Sequence, residues 1–145
     1  MKKFTTLNES NVSAVSEIEK RCFGAERWSE ELLRNEIHDP SKNYVVCVVD
    51  GAVVGFGGYA QVFDEGHIMN IAVAPEFRRK GIGTEILKRL IVSGKEKGIT
   101  AFTLEVRVSN AAARMTYERA GFLCVGVRPK YYPDKEDACI YWLYM

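Results

Sequence analysis

The residue types between positions 78 and 84, Arg-Arg-Lys-Gly-Ile-Gly-Thr, are those of a phosphate holder. They follow the apolar segment 68 to 73 and open onto an amphipathic helical pattern, so the loop delivers the first turn of a helix. Backbone N–H groups there have no partners inside the helix, and the macrodipole adds partial positive charge; together they stabilise an anion. Gly81 and Gly83 lack Cβ atoms, permit positive φ and leave the donors uncovered, while Arg78, Arg79 and Lys80 add full charges. Three nucleotide-type readings compete. A P-loop is excluded because its lysine must follow the last glycine, where this chain has Thr84. A dinucleotide-binding turn fits Gly81 and Gly83, and Glu105, roughly twenty residues on, matches a ribose-binding acid, but Ile86 occupies the third glycine position. The third reading is a pyrophosphate-bearing acyl carrier, coenzyme A. Against all three stands a charged loop that merely connects a strand to a helix.

Periodicity supplies the elements that must position this loop. The first forty residues read as helical, with Val12, Val15, Ile18, Glu19 and Cys22 at one helical spacing and Leu32, Leu33, Glu36 and Ile37 at another. Tyr44 to Val49 and Ala52 to Phe63 make a hairpin about Asp50-Gly51, and Asp64-Glu65-Gly66 makes the next turn. A strand over 67 to 73, a helix from Gly83 to Lys97 stopped by Gly98, and an alternating strand from Phe102 to Val108 form a strand-helix-strand crossover. Ser109 and Asn110 cap a short helix, Ala111 to Ala120, that Gly121 closes. Strands Phe122 to Val127 and Ala138 to Tyr144 follow, linked by the tyrosine-bearing stretch 128 to 137. The expected fold class is α/β (α+β): a mixed, mostly antiparallel sheet with a central parallel strand pair and helices on both faces.

The bulk numbers narrow the function. At 145 residues and 47% hydrophobic content, the chain has the size of a single domain spanning 1–145. Twenty basic against nineteen acidic residues leave a charge of +1, so no global field recruits nucleic acid or a membrane surface. No apolar run approaches the roughly twenty residues of a membrane span, and the start turns polar too soon for a signal peptide, which points to the cytoplasm. Cys22, Cys47, Cys124 and Cys139 are scattered and stand beside no histidine, so buried free thiols are expected and no metal. His38 and His67 fall in no motif and read as ordinary surface or strand residues.

Arg78-x-x-Gly81-x-Gly83 after Asn70-Ile71-Ala72-Val73-Ala74-Pro75 resembles the acetyl-CoA motif of the GNAT N-acetyltransferases. Leu104-Glu105-Val106-Arg107-Val108-Ser109-Asn110, with Ala113, Tyr117, Gly121 and Phe122 after it, is similar to the RimI branch of that superfamily, which acetylates protein N-termini. So is the tail Arg128-Pro129-Lys130-Tyr131-Tyr132-Pro133. The resemblance implies an enzyme that uses acetyl-CoA and no metal, with Glu105 as general base and Tyr117 as general acid. A phenol suits the second task, because its pKa of about 10 exceeds a thiol's of about 8.5. The resemblance assigns the cofactor to Ile71, Ala72, Val73, Arg78, Arg79, Lys80, Gly81, Ile82, Gly83, Thr84, Asn110 and Tyr117, with backbone donors of strand 68 to 73 holding the oxyanion. Residue-level alternatives are a solvated strand glutamate for Glu105, a core aromatic for Tyr117 and a helix cap for Asn110.

On the acceptor side the resemblance implies that Tyr131 and Tyr132 grip a polypeptide backbone and that Trp28 lies on a substrate-side loop. Arg27 stands where the RimI pattern usually has proline, whose ring fixes φ. The implied partner is a protein or peptide N-terminus, in that branch the N-terminal alanine of the eighteenth small-subunit ribosomal protein, served by a monomer or weak dimer. A small-molecule amine acetyltransferase and a non-catalytic acetyl-CoA sensor are the alternatives.

Overall fold

A computed structural model describes residues 1–24 and 28–145. In chain order, β1 (Lys2–Thr5), α1 (Val12–Phe23), α2 (Glu30–Ile37), β2 (Lys42–Val49), β3 (Ala52–Val62), β4 (Glu65–Val73), α3 (Ile82–Glu96), β5 (Ala101–Arg107), α4 (Ala111–Arg119), β6 (Leu123–Arg128) and β7 (Ala138–Tyr144) build a seven-stranded sheet ordered β1-β2-β3-β4-β5-β7-β6. Neighbouring strands are antiparallel except β4 and β5, which the α3 crossover makes parallel. The expected α+β class is borne out.

Alternation along the strands divides the core in two. Val45, Ile71 and Val73 join one cluster with Ile86, Leu87 and Leu90 of α3 and Tyr117 of α4. Their neighbours Val46 and Ala72 join a second with Val12, Val15 and Ile18 of α1 and Leu33 of α2. Successive strand residues point to opposite faces, so α1 and α2 cover one face while α3 and α4 cover the other. Burying the Ile86, Leu87 and Leu90 side chains, all 0% exposed, contributes about 1.5–3 kcal/mol each.

Several expectations change. The first forty residues are not helical throughout: Lys2–Thr5 is an edge strand whose short run shows no alternation, with only Phe4 half-buried. The turn after β3 lies at Phe63 and Asp64, while Glu65 and Gly66 already belong to β4. Gly66 is small for packing: a Cβ there would stand 2.5 Å from the Phe102 ring, and one at Gly94 on the ring's other contact would stand 2.3 Å away. Positive φ in the basic loop falls on Arg79 (66°) and Gly81 (78°), whereas Gly83 is inside α3.

One irregularity opens the sheet. β4 and β5 pair only from Glu65↔Ala101 to His67↔Thr103, although both strands run on. Within β4, Asn70 faces Gly58 and Ile68 faces Tyr59, which leaves Met69 as the extra residue of a β-bulge. Beyond His67, β4 has a partner only on its β3 side, and its other backbone edge borders a gap. α3 starts at the mouth of that gap.

Candidate active site

A cavity of about 650 Å³ runs from the gap to the start of α3. Ile71, Ala72, Val73, Arg78, Arg79, Gly81, Ile82, Gly83, Thr84, Asn110 and Tyr117 all line it. Lys80 does not; its ammonium lies 5.2 Å from the centre of the Phe77 ring. Gly81 caps α3 in the left-handed conformation without a side-chain cap, and the ladder begins only with Glu85 N–H donating to Gly81 O at 3.0 Å. Among the described residues the N–H groups of Ile82, Gly83 and Thr84 have no acceptor, and a Cβ on Gly81 would meet nothing within 4 Å. Arg78 is tethered through Nε to Val73 O at 3.0 Å. Asn110 caps α4, its Oδ1 accepting from Ala113 N–H at 3.1 Å, while it also lines the cavity.

A second cavity of about 530 Å³ lies across the gap and shares Cys22, Phe23, Ile71, Asn110, Ala113 and Tyr117 with the first. Its own walls include Trp28, His67, Glu105, Tyr131 and Tyr132. Tyr117 therefore stands at the junction. Its ring packs edgewise on Phe122 at 5.7 Å, and burial, followed by the nearby Tyr132 phenol, pushes its pKa up to about 12. Among the described residues its hydroxyl makes no hydrogen bond. The phenol stays protonated and has a proton to offer.

Glu105 is the carboxylate of the second cavity, with a side chain only 13% exposed. Its Oε1 lies 2.9 Å from His67 Nε2 and accepts from the Tyr131 hydroxyl at 3.3 Å. The hydrogen bond to His67 chiefly holds Glu105 below the usual carboxylate range, and the same bond raises His67 above its ordinary value. Tyr131 and Tyr132 meet edge to face at 5.0 Å. Arg107 lies 4.1 Å from the Tyr132 ring centre and is itself tied to Asp134 and Glu136, both at 2.9 Å, so the β6–β7 loop is braced from β5.

The geometry thus brings together Glu105, Tyr117, Trp28, Tyr131 and Tyr132 around one junction. It also brings in His67, which falls in no motif of the sequence. The signal was the register of β4 on β5, which sets His67 opposite Thr103 and diagonal to Glu105 and which no local pattern reveals. Asn70 also lines the second cavity and donates to Glu19 behind it, a pairing that no local pattern reveals either. Arg27 lies outside the described residues. The thiols are all free, but only Cys47 and Cys139 are buried; Cys22 is half-buried at the junction, and Cys124 is exposed on the sheet's edge strand.

The sequence model of the family described as "Acetyltransferase (GNAT) family" matches residues 12–122. The chain belongs to the GNAT acetyltransferase family. It is 34% identical over 143 residues to the [Ribosomal protein bS18]-alanine N-acetyltransferase of Escherichia coli, covering 97% of this chain and 95% of that one. The crystal structure of the Escherichia coli ribosomal-protein-S18-alanine N-acetyltransferase superposes with a TM-score of 0.90 over 99% of this chain and 94% of the other. Ard1 from Thermoplasma volcanium, 25% identical, superposes at 0.89 over 99% and 97%. The motif resemblance is borne out, and this GNAT protein is an N-acetyltransferase. No helix among its described residues is long and apolar enough to cross a membrane.

Proposed function

We propose that this GNAT enzyme, a single domain over 1–145, transfers an acetyl group from acetyl-CoA to a protein N-terminal α-amine in a direct ternary complex. The acceptor is the N-terminal alanine of a small-subunit ribosomal protein, modified in the cytoplasm by a monomer or weak dimer. The observation that carries this reading is the meeting of two cavities at Tyr117, one with an uncapped helix N-terminus and the other with a carboxylate and a tyrosine pair. The name of the Escherichia coli relative supports the choice of acceptor.

The first cavity fits the cofactor. The unpartnered N–H groups of Ile82, Gly83 and Thr84, the open face of Gly81 and the Arg78 guanidinium suit a pyrophosphate, with Arg79 and Lys80 adding charge at the rim. Acetyl-CoA supplies the acetyl group as a thioester. The unpaired edge of β4 from Ile68 to Val73 offers backbone N–H donors for the carbonyl oxygen as it gains charge, with Ile71, Ala72 and Val73 flanking the chain and Asn110 opposite.

Across the junction, Tyr131, Tyr132 and Trp28 hold the acceptor backbone. An α-amine titrates at about 7.7–8.0, so a useful fraction is neutral near pH 7.5. Glu105 takes the proton that the nitrogen loses as the N–C bond forms, directly or through water, and the Tyr117 hydroxyl gives its proton to the departing sulfur. Both residues are reset by proton exchange with water.

Mass spectrometry of a free-N-terminus peptide library incubated with enzyme and acetyl-CoA tests the reading. Acetyl on the α-amine of Ala-starting peptides is the expected result. Acetylation of polyamines or aminoglycosides alone points to a small-molecule enzyme, and absence of any acetylated amine overturns the catalytic reading.

A further inference from the structure

Glu19 is a carboxylate in the wrong place for a solvated residue. It follows Val12, Val15 and Ile18 on the inward face of α1 and is 1% exposed. Among the described residues it has no ion pair with a cation, so its burial is tolerable only if its oxygens accept hydrogen bonds. They do. Oε1 accepts from Asn70 Nδ2 at 2.7 Å and Oε2 from the Trp28 backbone N–H at 3.3 Å. A carboxylate only accepts, so the Asn70 amide must present its NH2 to it.

The two partners belong to different elements. Asn70 follows the Met69 bulge in β4, and Trp28 precedes Ser29, whose hydroxyl caps α2 by accepting from Leu32 N–H at 3.2 Å. Both line the acceptor cavity, and Glu19 does not. A leucine would fill the same space on α1 without any desolvation penalty; what it cannot do is accept from both walls at once.

We infer that Glu19 is a positioning residue for the acceptor: it ties the substrate-side loop at Trp28 to the bulged strand at Asn70 and so sets the wall against which a polypeptide N-terminus lies. This rests on the acceptor reading of the second cavity given above. Glu19 touches neither substrate nor cofactor, and the donor groove is built from other residues. Its loss therefore acts on acceptor KM and spares the KM for acetyl-CoA.

A variant cycle tests the tie. Glu19→Leu leaves both donors unmatched, and with charged-group hydrogen bonds at stake the acceptor-peptide KM rises roughly 10-fold or more, with kcat and acetyl-CoA KM within about twofold. Glu19→Gln keeps near-normal KM, because its oxygen serves Trp28 while its NH2 meets an Asn70 amide turned by half a rotation. Asn70→Asp sets two carboxylates face to face and raises the acceptor KM, and adding Glu19→Gln to it restores the KM to within about threefold. An Asn70→Asp penalty that persists beside Glu19→Gln overturns the inference, as does a Glu19→Leu enzyme that is unchanged or loses all parameters alike. Should Asn70→Asp not fold, the Glu19→Leu split between the two KM values decides alone.

A readout without turnover separates this inference from the functional one. In a Trp142→Phe background Trp28 is the remaining tryptophan. Acrylamide quenching of its fluorescence should increase with Glu19→Leu and return to the parental value with Glu19→Gln. Equal quenching in all three sinks the tie even if peptides are acetylated. Altered quenching in an enzyme that acetylates no peptide sinks the acceptor reading and leaves the tie standing.

Discussion

Replacing Glu105 by Gln removes one charge and almost no volume. The amide oxygen can still accept from His67 Nε2–H and the Tyr131 hydroxyl, which reach Glu105 Oε1 at 2.9 and 3.3 Å, so the wall of the acceptor cavity stays in place. What is lost is the proposed proton acceptor. General-base contributions run to about 10²–10⁴-fold, or about 2.7–5.5 kcal/mol at about 1.36 kcal/mol per decade. Release of free CoA thiol with an Ala-starting peptide should fall by that factor. Acetyl-CoA binding, followed by calorimetry, should hold within about twofold, because Glu105 lines the second cavity and not the first. Histidine titration by NMR supplies a second readout, since the chain has two histidines and Glu105 is what raises His67. In the variant, His67 should titrate lower than in the parent. The pH dependence of stability carries the same signature. The stabilisation from His67, whose folded value lies above its ordinary 6.5, is full below 6.5 and is lost as pH rises through that raised value. The stabilisation from Glu105, whose folded value lies below its ordinary 4.5, is present above 4.5 and is lost as pH falls through that lowered value. The pair thus contributes in full between 4.5 and 6.5 and fades as pH passes either folded value, and the variant should lose that part of the Tm profile. Turnover within about threefold of the parent would refute Glu105 as the base.

Two further substitutions probe the junction and the core. Tyr117→Phe keeps the ring against Phe122 and removes a hydroxyl that has no hydrogen-bond partner among the described residues. Its Tm should therefore change by less than about 2 °C while kcat falls about 10²-fold or more; a retained kcat in the thiol-release assay rules out the phenol as acid. Gly94→Ala drives a Cβ to 2.3 Å from Phe102, which is 0% exposed and already abuts Gly66. Overpacking of about 1–3 kcal/mol should outweigh a helix-propensity gain of about 1 kcal/mol and lower the Tm by several degrees in a thermal melt; an unchanged or higher Tm means that the ring has room to move.

Much of the architecture and of the lining of the first cavity was legible in the residues because each rests on local chemistry. The inward stripe Ile82, Ile86, Leu87 and Leu90 is an i, i+4 pattern that any helix must bury. Gly81 beside Arg78, Arg79 and Lys80 announces an anion site wherever a helix follows, and the left-handed φ of Gly81 is the conformation its missing Cβ permits. Glu105 alternates with the core-facing residues of β5 and is readable as a candidate, with the resemblance of the motif around it implying the proposed role. Short or solvent-facing pieces were less legible. Lys2–Thr5 has one half-buried residue and no period, and Gly66 resembles a turn glycine until Phe102 is seen beside it.

By itself the sequence determined the order of helices and strands from α1 onward, the glycine-bearing basic turn before α3 and the identity of the motif residues, since these depend on contacts a few residues apart. Only the tertiary structure decided that β4 parts from β5 after His67, that the Met69 bulge turns Asn70 onto Glu19, and that His67 closes on Glu105 across 38 residues of chain. Strand register and splay are settled by packing between α3, α4 and the sheet. Residues far apart in sequence become one active site only after that packing has fixed which strand lies beside which.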